Sequence, residues 1–480
     1  MRKLEGLKPE SLFSFFEDIS AIPRGSGVRS GIRDYLINFA KERNLRFYTD
    51  GADNVIIYKP AAKGFENAEG VILQSHTDIV WQKTAGCDID FEKEGLRIYI
   101  DGDFIKAEGT TLGADNGLGV AAALAVLSDD SLSHPAIEAV FTSDEEIGMI
   151  GAGKLDMTRL SGKKLINMDA EEPEVLTVSC AGGSDFIINL PIEKTEAEGT
   201  FVKIKIAGLS GGHSGIQISE GRVNADMLLG RILNHMKGKA SFYIKNVSGG
   251  TKANAIPLES EALVIAEKAE EFTAECDRYI KIIKKEISSR EPSFTAECEI
   301  LPEEKSAAFK KDCAERVIAL LTVAPNGVIE MSKEIDNLVE TSLNLGILET
   351  TEKSVKAHFA LRSNKESALY ALEEKMTALA NLIGAECETF GHYPPWEFKK
   401  NSPLQELYKR IYKEKNGKEP LVEAIHAGLE CGLFASKINN LDAIAIGAML
   451  KDVHTVGEKL SVSSTKDFYE ILIKVLENCR

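Results

Sequence analysis

Seven polar residues, spread from position 76 to position 454, set the strongest constraint on how this 480-residue chain folds. They are His76 and Asp78 in ILQSHTD, Asp115 in TLGADNG, Glu145 and Glu146 in TSDEE, Asp169 in LINMDAEE, and His454 in KDVHTVGE. Each ends, or lies just beyond, an apolar strand-like run, where an open α/β sheet carries its ligand-binding loops. Two imidazoles with three or four carboxylates form a donor set suited to borderline divalent ions such as zinc, manganese or cobalt. For His454 to join His76 and Asp115, residues 391–480 must return to residues 1–187. The stretch 188–390 then becomes an insertion.

The local patterns agree with that arrangement. Up to residue 187, helical periodicity (8–22, 30–43 and the run GLGVAAALAVLSD) alternates with apolar strand-like runs (NVIIYKP, GVILQSHTD, IEAVFTSDEE, KKLINMDAEE). This rhythm predicts α/β character, with a mostly parallel sheet flanked by helices. The middle differs: FVKIKIAG and FTAECEIL alternate with period two, and each precedes a helical pattern. TSLNLGILETTEKSVKAHFALRSN reads as a hairpin. An α+β insertion is expected here. After YPPW the α/β rhythm resumes, with helices near 403–415 and 429–438, the strand LDAIAIGAM and a last helix from about 464.

Taken singly, each polar motif has an ordinary explanation. Asp115 before an alanine- and leucine-rich helix is the usual residue of a helix cap. A serine–acidic run such as SDEE is usually a solvated loop, and a lone histidine after a strand is usually a hydrogen-bonded surface residue. His76 and Asp78 are more pointed, because residues two apart on a strand share a face, so the carboxylate can orient the imidazole. Glu145 and Glu146 are adjacent, so their side chains diverge and can take different roles, one on a metal and one on a proton.

Together, in this order, the motifs HTD, GADNG, DEE, D, GGHSG and a late H resemble the M20 family of metallopeptidases. The finer wording of LQSHTDIVWQK, TTLGADNGLG, TSDEEIGMIGA, GLSGGHSG, GGTKANAIP and HAGLECG is similar to its aminoacyl-histidine dipeptidase, or peptidase D, branch. The resemblance covers nearly the whole chain. It implies a two-metal catalytic domain interrupted by an α+β lid domain. His76, Asp115 and Asp169 would hold one ion, and Asp115, Glu146 and His454 the other, with zinc first and cobalt or manganese as alternatives. Glu145 would be the general base of a metal-activated water, and Asp78 the carboxylate on His76. From the lid, His213 would stabilise the oxyanion, and Asn254 and Arg362 would bind the substrate carboxylate. Gly428 would let substrate approach the backbone, and Glu430 is a candidate partner for the substrate ammonium. The implied activity is hydrolysis of unblocked dipeptides of the Xaa-His type. The alternatives are an N-acyl amino acid deacylase of the same family and a catalytically silent peptide-binding relative. Ser75 and Ile79 depart from the branch pattern, outside the ligand set, where substrate fit is decided.

Charge narrows the partners. A net charge of −17 argues against nucleic acid or an anionic membrane surface. No apolar run approaches the ~20 residues that span a bilayer, and the opening MRKLEGLKPESLFSFF lacks a signal-peptide core. The eight cysteines show no C-x-x-C spacing, so neither a disulfide framework nor a thiolate metal site is expected. The expected location is the cytoplasm, and the expected assembly a monomer or homodimer acting on small peptides.

Overall fold

The computed structural model of the chain describes residues 2–480, apart from the side chains of residues 303 and 304. Two compact units emerge. The first comprises Met1–Ser179, Phe398–Ala424 and Leu429–Arg480; the second comprises Cys180–Glu397 and Ile425–Gly428.

In the first unit, strands Val71–His76, Ile137–Thr142 and Asp442–Gly447 are buried along their whole length. Strands covered on both faces read as continuous apolar runs, which is why alternation is missing from these segments. Their sheet runs in the order Arg46–Thr49, Val55–Lys59, Ile137–Thr142, Val71–His76, Lys164–Ala170, Asp442–Gly447, Val175–Cys180, Leu421–Ile425. The centre is parallel, from Ile137–Thr142 through Val71–His76 and Lys164–Ala170 to Asp442–Gly447. Arg46–Thr49 with Val55–Lys59, Val55–Lys59 with Ile137–Thr142, and Asp442–Gly447 with Val175–Cys180 pair antiparallel. The link 50–54 is too short for a crossover helix, so the two strands it joins must form a hairpin.

Helix Ala114–Ser128 is buried from Asn116 to Leu127. A helix apolar all round has no solvent face to offer, and this one packs under the sheet centre beside strands Val71–His76 and Lys164–Ala170. Its first residues are not helical: Asp115 is extended, with φ −83° and ψ 109°. Its carboxylate therefore stands at the helix entrance, outside the helical turns.

The second unit is built on an antiparallel sheet. Its order is Thr295–Phe309, Lys194–Ala207, Ser260–Ala266, Phe242–Gly249, Val339–Thr350, Ser354–Ser363, Gly182–Pro191, Glu386–Tyr393. Val202, Ile204 and Ile206 face one core that also holds the apolar sides of helices Ala225–Lys237, Ala269–Ile287, Lys311–Val323 and Glu366–Leu382. The intervening Lys203 points the other way, to Glu261 at 2.7 Å. Period-two alternation with helices on one face is the α+β pattern expected of this stretch. Among the described residues, no helix is long and apolar enough to cross a membrane.

One buried group in this unit is costly. Asp226, in the first turn of Ala225–Lys237, is fully buried, and neither carboxylate oxygen has a hydrogen-bond partner among the described residues. Gly249 is pressed against it so closely that a Cβ there would lie 1.8 Å from Oδ1. Burial pushes the Asp226 carboxyl up to about 7, and the nearby Ser260 hydroxyl offsets only part of the effect. A carboxyl raised on folding holds its proton longer in the folded state than in the unfolded one. Stability should therefore fall as pH rises from about 4 toward 7, and level off above. Asp226→Asn should be more stable than the native chain at pH 8, by on the order of a few kcal/mol, and lose that advantage near pH 4. Urea unfolding at the two pH values checks this; equal stability at pH 8 would refute it.

Candidate metal centre

The ends of the central strands gather the first unit's polar residues. His76 closes Val71–His76, and its Nε2 lies 3.0 Å from Asp115 Oδ1 and 3.2 Å from Asp169 Oδ1. His454 Nε2 lies 3.1 Å from Asp115 Oδ2 and 2.9 Å from Glu146 Oε1. Asp115 thus turns one oxygen to each of two trios. Donor atoms of His76, Asp115 and Glu146 all fall within 4.8 Å of one another. Donors on one tetrahedral ion, bonded at about 2.0–2.2 Å, stand about 3.3–3.6 Å apart, so the contacts of 2.9–3.2 Å found here need open only slightly to admit one. Imidazole nitrogens with carboxylate oxygens and no thiolate make a borderline donor set, so the residues fit a divalent ion of the zinc type.

The electrostatics point the same way. Burial pushes the His76 imidazole down, but Asp169 and hydrogen bonds to Asp115 and Asp169 more than reverse this and hold it well above its usual range. Hydrogen bonds to Asp115 and Glu146 raise His454 to about 11. Burial raises Asp115, yet the two imidazoles outweigh it and keep the carboxylate ionised. Asp169 is raised to about 8, mainly by burial. Glu145 is likewise pushed well up by burial, with Asp169, Glu430 and Glu146 adding to the shift and His76 opposing it. The cluster is short of positive charge, the deficit a bound cation removes.

Asp78 has a second task beside the one expected from H-x-D. His76 Nδ1 meets the Asp78 carbonyl oxygen at 3.1 Å, with the carboxylate at 3.6 Å. That carboxylate accepts instead from the backbone N–H of Glu145 at 2.9 Å and Glu146 at 3.3 Å, and from Ser26 Oγ at 2.8 Å. It holds the turn that presents the two glutamates. Asp144, at the corner with φ 51°, is anchored by the Gly27 N–H at 2.8 Å and by Arg29.

The remaining sequence candidates lie in the second unit. Gly212–His213 pairs with Ala255–Ile256, which sets His213 opposite Ala255 and beside Asn254. His213 Nδ1 accepts from the N–H of Gly215 and Ile216, both at 3.1 Å, so the ring proton is on Nε2. Burial, helped by Arg362, lowers this imidazole to about 4, which keeps it neutral. Arg362 is almost buried; Nη1 donates to Tyr393 Oη at 2.9 Å, and Nε has no hydrogen-bond partner among the described residues. A Cβ on Gly215 would meet the His426 carbonyl at 2.4 Å and both Arg362 Nε and His213 at 3.1 Å, so glycine alone lets these three close around it. Gly428 ends the 425–428 stretch, held by His426 between Ser342 Oγ at 2.7 Å and Asn364 Oδ1 at 3.1 Å.

Comparison with known proteins identifies the scaffold. A family model described as peptidase family M20/M25/M40 matches residues 72–478. The chain belongs to that family. Over 481 aligned residues it is 36% identical to the cytosol non-specific dipeptidase of Escherichia coli (strain K12), covering 99% of both chains. The crystal structure of aminoacylhistidine dipeptidase from Vibrio alginolyticus superposes with a TM-score of 0.92 at 35% identity, covering 99% of this chain and 97% of that one. Aminopeptidase PepT from Bacillus cereus shares the fold at a TM-score of 0.57 and 17% identity, with 98% and 99% covered. Like its family, the chain is a peptidase.

Two residues near the M20 centre, Glu458 and Arg24, escaped the sequence reading, and a third has a different place from the one expected. Glu458, four positions after His454, accepts backbone N–H bonds from Leu112 (2.7 Å), Gly113 (2.8 Å), Ala114 (2.8 Å) and Asp115 (3.3 Å). Buried Arg24 donates to the carbonyls of Thr77 and Gly113. Glu430, considered above for a substrate ammonium, has no exposed oxygen to offer; it is fully buried against Gln74 and Thr142. Removing Glu458 strands four buried donors at the entrance that aims Asp115. Glu458→Ala should cost about 3 kcal/mol or more in urea unfolding and weaken zinc binding to the metal-stripped chain. A loss below ~0.5 kcal/mol, the scale of an indifferent surface change, would show that water replaces the carboxylate.

Proposed function

We propose that this chain is a metal-dependent dipeptidase that hydrolyses unblocked dipeptides, Xaa-His among them. The observation that carries this reading is the Asp115 carboxylate, with Oδ1 toward His76 and Asp169 and Oδ2 toward His454 and Glu146. That is the disposition a carboxylate needs to bridge two ions. On this reading His76, Asp115 and Asp169 hold one divalent ion and Asp115, Glu146 and His454 the other, with zinc preferred and cobalt or manganese compatible. Bound there, the ions would act as Lewis acids on the scissile carbonyl and lower the pKa of a water by several units.

The chain's own residues supply the proton path and the grip on substrate. Glu145 is buried beside the ligands but stands outside both trios, so it is free to take the proton of the attacking water and return it to the leaving amine. His213 offers Nε2–H, fixed by its backbone bonds, to the carbonyl oxygen as it gains charge. Arg362, whose buried Nε has no hydrogen-bond partner among the described residues, and Asn254, both in the second unit, would receive the substrate's C-terminal carboxylate. Gly428 leaves room there for the substrate backbone. The two relatives at 35–36% identity, matched over nearly their full lengths, are named as dipeptidases, which favours this reading over a deacylase. A cytosolic setting agrees with the free cysteines and with the name of the E. coli relative.

The two adjacent glutamates separate this reading from a merely acidic loop. Glu146→Gln should weaken zinc binding by at least tenfold. Glu145→Gln should bind zinc like the native chain and yet lose about 100- to 10,000-fold in kcat, the usual worth of a general base. Equal zinc loss in both variants would collapse the distinction between ligand and base.

Substrate length tests the carboxylate grip. A tripeptide places its carboxylate about 3.5 Å further from the scissile bond than a dipeptide does. Arg362→Ala should leave zinc binding intact and cost roughly 2–4 kcal/mol in kcat/KM for free dipeptides. Amidating the dipeptide should impair the native enzyme comparably and add little to the variant's defect. Native turnover of amidated dipeptides as fast as free ones would favour an aminopeptidase instead.

A further inference from the structure

Directly beneath the metal centre lies a buried polar chain that the proposed reaction leaves unused. Asn167 Nδ2 donates to Gln74 Oε1 at 2.5 Å, Gln74 Nε2 donates to Glu430 Oε2, and Thr142 Oγ1 donates to the same oxygen at 2.7 Å. All four side chains are essentially inaccessible to solvent. Each of the three strand residues stands a short step before a residue of the centre. Gln74 is two before His76, Asn167 is two before Asp169, and Thr142 is three before Glu145. Residues two apart on a strand share a face, so the tilt of Gln74 and Asn167 is passed directly to His76 and Asp169. In register, Gln74 lies opposite Asn167, and His76 opposite Thr142. The three parallel strands are thus cross-tied one step below the donor atoms.

Glu430 sets the direction of this relay. Glu430 Oε2 accepts from both side chains, so the Gln74 amide turns its NH₂ to Glu430 and its oxygen to Asn167. Without an acid or other acceptor at 430, both amides lose the group that fixes which way they point. The arrangement is also poor value as plain core packing. Glu430 Oε1 and Asn167 Oδ1 are buried without hydrogen-bond partners among the described residues. Incompletely satisfied polar groups of this kind cost stability, and well-packed apolar residues usually do better.

We propose that Glu430 is a positioning residue. Through Oε2 it locks Gln74 and Thr142, and thereby holds the three strands at the spacing that lets His76, Asp169 and Glu146 converge on metal. The inference rests on the proposed ligand roles of those residues and concerns the hydrogen bonds of Glu430.

The test uses the full chain stripped of metal, with zinc affinity measured by competition against a chromogenic chelator and folding followed by circular dichroism and thermal unfolding. Supporting groups around metal ligands typically contribute about 10- to 100-fold in affinity, and Glu430→Ala should fall in that range. Glu430→Gln keeps an acceptor oxygen for both donors and should bind zinc within about threefold of native. Thr142→Val, which removes one donor with little change of shape, should fall between them and serves as the test if Glu430→Ala does not fold. Native-like affinity in folded Glu430→Ala, or in Thr142→Val where that variant must serve, would overturn the proposal. Such affinity with a lowered unfolding midpoint would mean the network only supports the core. An equal loss in Glu430→Gln and Glu430→Ala would also overturn it, because charge rather than hydrogen bonding would then be responsible. Failure of the native chain itself to bind zinc would instead remove the ligand reading, and this inference with it.

Discussion

Buried negative charge governs the first unit. The carboxylates of Asp78, Asp115, Glu146, Asp169 and Glu430 lie within the fold at the ends of its central strands, with Glu145 close by. Moving one carboxylate out of water costs several kcal/mol unless something replaces the lost hydration. Replacement takes a different form at each residue. Asp78 and Glu458 are solvated by backbone N–H groups, Glu430 by an amide and a hydroxyl, and Asp115 by two imidazoles. Burial pushes the carboxyls of Asp169 and Glu145 upward, with neighbouring carboxylates adding to the shift, and it also raises Glu430, to about 7, and Glu458 despite their hydrogen bonds. A site that satisfies its structural carboxylates with fixed dipoles and leaves others wanting a cation is a site arranged for one.

The parallel centre of the sheet makes this crowding possible. Three adjacent strands deliver His76, Asp169 and the turn after Thr142 to one edge, while the helix beginning at Ala114 brings Asp115 in from the side. His454 arrives from a loop in which its own φ is 62°, a conformation that non-glycine residues rarely adopt without surrounding support. That support is visible in the same loop. Glu458 fixes the entrance to Asp115, and Asp452 receives Lys459 at 2.8 Å. The residues that hold the loop therefore also aim the carboxylate that His454 faces.

What was legible in the sequence follows from where each signal resides. His76, Asp115, Glu146, Asp169 and His454 are donor types placed at the ends of apolar runs, and both facts are written locally. The roles of Glu458 and Arg24 are not. Their partners are backbone atoms of residues 112–115 in one case and of Thr77 and Gly113 in the other, and backbone atoms leave no mark on residue type. In HAGLECG a buried glutamate and a cleft glutamate look alike, so the sequence alone leaves Glu430 a candidate substrate contact; its bonds to Gln74 and Thr142 show that it is buried structure. The strand–helix rhythm overstated how much of the sheet is parallel, because a five-residue link and a crossover both separate two apolar runs. The four-residue excursion 425–428 into the second unit carries no composition shift and could not have been seen.

Asp78 shows why the adjacent glutamates can divide their labour. One carboxylate receives both their backbone N–H groups, while the preceding strand residue, His76, is steadied through Nδ1 by the Asp78 carbonyl. Ligand histidine, ligand glutamate and proton-handling glutamate are therefore referred to a single residue, and errors in their placement are correlated rather than independent. The side chains then diverge from that common anchor: Glu146 toward His454, and Glu145 into surroundings dense with negative charge. Their difference in role arises from the turn, since the two residues are chemically identical. A flexible loop carrying the same SDEE would average the two positions and lose the distinction on which acid–base chemistry beside a metal depends.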